Sequence, residues 1–167
     1  VVTLGGTLAT ADLSLVEATD LRFEDQTASA EISLQSGASV TLEETVATAI
    51  TFNLKDDYDG ASDVLNLTLE DEQDSSTVID VNGGSTAGEN DFETVNITVN
   101  AVNPNYDSTT DFNIAQIVGD NKSTDGSETM INLISADADE NVTVVSVAGK
   151  QLDGSAVKGE LDVTQTG

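Results

Sequence analysis

The chain contains no cysteine, no histidine and no tryptophan, and only one methionine and one proline. Without thiolate or imidazole ligands, the usual zinc, copper and iron sites are excluded. A Ser-His-Asp triad is excluded with them. Without cysteine there is no disulfide framework. Only oxygen ligands remain for a metal, and these suit calcium or magnesium. Bases are scarce as well: 5 Lys and Arg stand against 31 Asp and Glu, a net charge of −26. Phosphate backbones and anionic bilayers would be repelled, so nucleic acid and membrane surfaces are poor partners. No apolar run approaches the roughly 18 residues of a membrane-spanning helix, so membrane insertion is not expected. Aromatics make up only 4% of the chain. A glycoside hydrolase usually offers sugar platforms beside its paired carboxylates, so a hydrolase is disfavoured, and no enzyme activity is expected.

What the chain does have is patterned aliphatic residues. Its 167 residues are 38% hydrophobic, mostly Val, Ile, Leu and Ala. Apolar and polar residues alternate in "DLSLVE" from Asp12, "AEISLQ" from Ala30, "SVTLEE" from Ser39, "AITFNL" from Ala49 and "VLNLTLE" from Val64. The pattern continues in "TVIDV" from Thr77, "TVNITVNAV" from Thr94, "FNIAQIV" from Phe112, "MINLIS" from Met130, "NVTVVSV" from Asn141 and "GELDVTQ" from Gly159. Period-2 alternation argues for strands with one buried face. "LEETVATAI" reads equally well as helix or strand, and strand is preferred. Ser-Gly at 36–37, Asp-Gly at 59–60, 125–126 and 153–154, and "NGG" at 82–84 supply turns. The expectation is an all-β protein, with many short strands in a β-sandwich or an irregular β-solenoid-like stack. Residues 1–167 read as one all-β segment cut from a longer chain, with a sub-module seam near 101–111 around Pro104.

Self-repulsion among so many acids must be screened by salt or by bound divalent cations. The acids also cluster. "KDDYDGASD" crowds Asp56, Asp57, Asp59 and Asp63 about Gly60. It is either a solvated turn or a cup for a cation, and its spacing does not match an EF-hand, which needs a glutamate where Thr68 stands. "GENDFE" brings Asp91 and Glu93 together. "SADADEN" sets Asp137 and Asp139 on one side of an extended chain. Each cluster alone is weak; their recurrence at strand ends is more informative. "FETVNITV" from Phe92, "VEATDLRF" from Val16 and "SETMINLI" from Ser127 echo one another, each with Glu at the mouth of a strand. Four Asn-x-Ser/Thr sequons occur, at Asn66, Asn96, Asn121 and Asn141, and three of them fall in expected strands.

"GASDVLNLTLEDEQDSSTVIDVNGGSTAGENDFETVNITV" (60–99) resembles a unit of bacterial surface-layer (S-layer) proteins of the calcium-dependent, RTX-associated, type I-secreted kind. There a "G-x-x-D-x-L-x-L-x-L" strand is followed some thirty residues later by an "E-T-L-N-I" strand; the matching strings are "GASDVLNLTL" and "ETVNITV". "LDGSAVKGELDVTQTG" (152–167) is similar to further segments of that family, whereas the glycine-rich "GGxGxDx" repeat is missing. The resemblance implies a structural subunit of an extracellular two-dimensional lattice on a cell surface. Its partners would be further copies of itself and a cell-surface polysaccharide anchor held through segments outside this chain. It also implies calcium, with Asp63 and Glu93 as strand-mouth ligands joined through one ion and Asp57, Asp59 and Asp91 completing the shell. Asp137 and Asp139 form a further candidate site. The alternative is an acidic adhesin-type binding module of a large cell-surface protein.

Overall fold

Leu65, Leu67 and Leu69 are buried while Val64, Asn66, Thr68 and Glu70 between them are only partly covered. The same alternation, repeated along the chain, gives every long strand one apolar and one wet face. A computed structural model describes residues 1–16, 20–24, 26, 28–43, 49–54, 63–70, 77–81, 92–100, 111–118, 129–135, 137, 140–148 and 151–165. Among the described residues the regular structure is all strand. In chain order the strands are β1 (Val2–Gly5), β2 (Thr10–Asp12), β3 (Leu21–Glu24), β4 (Ala30–Leu34), β5 (Ala38–Glu43), β6 (Ala49–Leu54), β7 (Val64–Glu70) and β8 (Val78–Asp80). They continue as β9 (Thr94–Asn100), β10 (Asp111–Ile114), β11 (Gln116–Val118), β12 (Met130–Ser135), β13 (Asn141–Ala148), β14 (Gln151–Ala156) and β15 (Leu161–Gln165).

The strands form two sheets, and every pairing is parallel. One sheet of seven strands runs β1-β3-β5-β7-β9-β12-β14. The other, of eight, runs β2-β4-β6-β8, then β11 and β10, then β13, with β15 beyond it. Apart from β10 and β11, which lie in one sheet, successive strands alternate between the sheets, so the chain winds as a coil and each turn stacks on the one laid down before it. This corrects the expectation of a β-sandwich or irregular β-solenoid-like stack, which rested on the spacing of short strands and turns and could not see that the pairing is parallel. Parallel neighbours cannot be joined by a two-residue hairpin; here the opposite sheet serves as the crossover. Ser36–Gly37, with Gly37 at φ 80°, links β4 in one sheet to β5 in the other. Asp153–Gly154 is not a turn but lies within β14. "DLSLVE" also ends early: β2 stops at Asp12, whose carboxylate accepts from the Ser14 N–H (3.2 Å) and hydroxyl (2.6 Å), and the chain turns there.

The coil interior is a set of aliphatic columns. Leu21, Val40, Leu67, Ile97 and Leu133 stack in one sheet, and Ile50, Ile79, Ile117 and Val147 in the other. All four phenylalanines, Phe23, Phe52, Phe92 and Phe112, are buried. Each fully buried side chain of this size contributes about 1.5–3 kcal/mol before entropy is counted. Gln26 is the polar plug: its amide donates to the carbonyls of Leu8 (2.9 Å) and Ala28 (2.6 Å) and accepts from the Leu8 N–H (3.3 Å).

Candidate functional site

Parallel in-register stacking has a chemical consequence: equivalent positions of successive coils lie about 4.8 Å apart, so like residues form columns. Three polar columns mark the outer side and corner of the seven-stranded sheet.

The first is neutral. Asn66, Asn96 and Asn132 occupy one register position of β7, β9 and β12. Asn96 Nδ2 donates to Asn66 Oδ1 (2.9 Å), and Asn132 Nδ2 donates to Asn96 Oδ1 (2.8 Å). This ladder accounts for two of the sequons. Asn66 and Asn96 lie in strands, and the Asn96 amide nitrogen that a glycan would take is already a donor. At the Asn141 sequon the side-chain oxygen accepts from the Glu160 N–H (2.9 Å). Asn121 lies outside the described residues.

The second column is charged and pinned. Glu43 and Glu70 are register partners, and Glu24 follows Phe23, the partner of Leu42. Arg22 binds all three, through Nε to Glu24 (3.6 Å) and through Nη2 to Glu43 (3.2 Å) and Glu70 (2.5 Å). The hydrogen bond to Glu70 is the main cause holding the Arg22 guanidinium above its ordinary pKa. Burial pulls the other way, and attraction to Glu70 and Glu43 outweighs it. Sequence reasoning passed over Arg22. The signal was there in "RFE", "TLE" and "TLE" at 22–24, 41–43 and 68–70, one phrase repeated at one strand position.

The third column stands at the strand mouths: Ser36, Asp63, Glu93 and Thr129, each four residues ahead of a member of the Val40, Leu67, Ile97 and Leu133 column. The Asp63 N–H donates to Glu93 Oε2 (2.5 Å), and the Thr94 N–H donates to the Asp63 carbonyl (3.0 Å). The Val64 N–H donates to Ser36 Oγ (3.3 Å). Asp63 and Glu93 are therefore brought together across thirty residues of sequence. Asp63 Oδ2 is buried and has no hydrogen-bond partner among the described residues. A carboxylate oxygen removed from water without a donor is costly. A hard cation is one group that would satisfy it.

Asp57, Asp59, Asp91 and Asp139 lie outside the described residues. Asp137 is exposed, and its N–H donates to Oε2 of the buried Glu140 (2.8 Å), closing a turn before β13. No group of three acids among the described residues is placed to hold a metal ion. Asp63 and Glu93 are two carboxylates at one corner, fewer donors than the six to eight oxygens that calcium takes. No helix among the described residues is long and apolar enough to cross a membrane.

Compared with protein-family models, with curated proteins and with solved structures, the chain matches none.

Proposed function

We propose that this chain is a structural element of an extracellular protein lattice at a cell surface, ordered by calcium at its acidic strand mouths. The observation that carries this reading is the corner where Glu93 meets the Asp63 backbone while Asp63 Oδ2 stays buried without a partner. A cation there would tie two successive coils together and offset the repulsion that a charge of −26 imposes. The coil architecture supports a scaffold role, because rigidity comes from ladders repeated along one axis rather than from a shaped cavity.

Thermal unfolding tests the reading. At low salt, chelator should lower the midpoint and added calcium should raise it. A ligand present at a hundred times its dissociation constant adds about 2.7 kcal/mol of stability. Molar NaCl should only partly replace calcium. An unchanged midpoint with chelator would remove calcium from the account. A chain stabilised by calcium that shows no ordered sheets by electron microscopy would turn the reading toward an adhesin-type module.

A further inference from the structure

We draw no further inference here: the strongest candidate, the outer face of the seven-stranded sheet where Asn66, Asn96 and Asn132 run beside Thr68 and Thr98, carries none because its asparagines bond to one another and nothing in the structure shows what covers it.

Discussion

Two carboxylate columns on one sheet meet the same difficulty and resolve it differently. Glu24, Glu43 and Glu70 gather about one guanidinium, and Arg22 reaches each of them. At the other column the Asp63 N–H binds Glu93, and Asp63 Oδ2 is left bare among the described residues. Parallel stacking copies whatever a position holds into the next coil, so a single acid in a repeat becomes a row of acids. Such a row is stable only if something neutral or positive is interleaved. The asparagine column shows the neutral solution, since an amide can donate to one neighbour and accept from the other, as Asn96 does.

The largest effect should come from removing the one built-in counterion. Arg22→Met leaves three glutamates facing one another and should cost about 2 kcal/mol, discounted for partial exposure. Molar NaCl should recover much of that loss, which denaturant titrations at two ionic strengths would show. A loss insensitive to salt would mean that Arg22 acts by packing. Asn96→Ala breaks both bonds of the neutral column at once and should cost about 1–2 kcal/mol, with no salt dependence. Glu93→Gln tests the bare corner. It keeps an oxygen for the Asp63 N–H while removing a charge, so without calcium it should be neutral or stabilising by about 0.5 kcal/mol. The calcium-dependent rise in the midpoint should shrink in the same variant, and a rise of undiminished size would place the ion elsewhere. Asp63→Asn should weaken the calcium response more than Asp56→Asn, by the same measurement.

The smallest effect concerns Asp153, fully exposed at the position next to Asn132. Hydrogen bonds from the Ser155 side chain and N–H hold its carboxyl below the ordinary value. A depressed folded-state value means stability that is present above the unfolded value, about 3.9, and is lost as pH falls through the folded one. Asp153→Asn should therefore lose that small contribution at neutral pH and flatten the acid limb of the stability profile, with wild type and variant converging as pH falls.

The strands themselves were largely legible. "AITFNL", "VLNLTLE" and "MINLIS" fall on β6, β7 and β12 residue for residue, because alternation over six or seven positions admits no other register. Their direction was not legible, since parallel and antiparallel strands with one wet face alternate alike. β3 entered only through the echo in "VEATDLRF", because just Leu21 and Phe23 face inward and Arg22 and Glu24 disguise the run. The echo between the Val16 and Phe92 blocks agrees with the stacking: Glu17 and Glu93 each precede by four residues a member of one column, Leu21 and Ile97, although Glu17 lies outside the described residues. The echo with "SETMINLI" is one residue out of phase, for Met130 pairs with Thr94 and Asn132 with Asn96. Matching inward faces overrules matching letters. Of the candidate ligands, Asp63 and Glu93 were paired by the resemblance, and they do meet, through the Asp63 N–H and Glu93 Oε2. The glutamate column was hidden because its members come from three separate phrases joined only by winding.

The winding also governs how the molecule comes apart. Each coil touches only the coils on either side of it, so order spreads along one axis like a row of coupled repeats rather than arising all at once. Amide exchange should be slow at β7 and β9, where Leu67 and Ile97 are sandwiched between register partners on both sides. Whatever binds one coil would therefore protect amides in the coils stacked beside it.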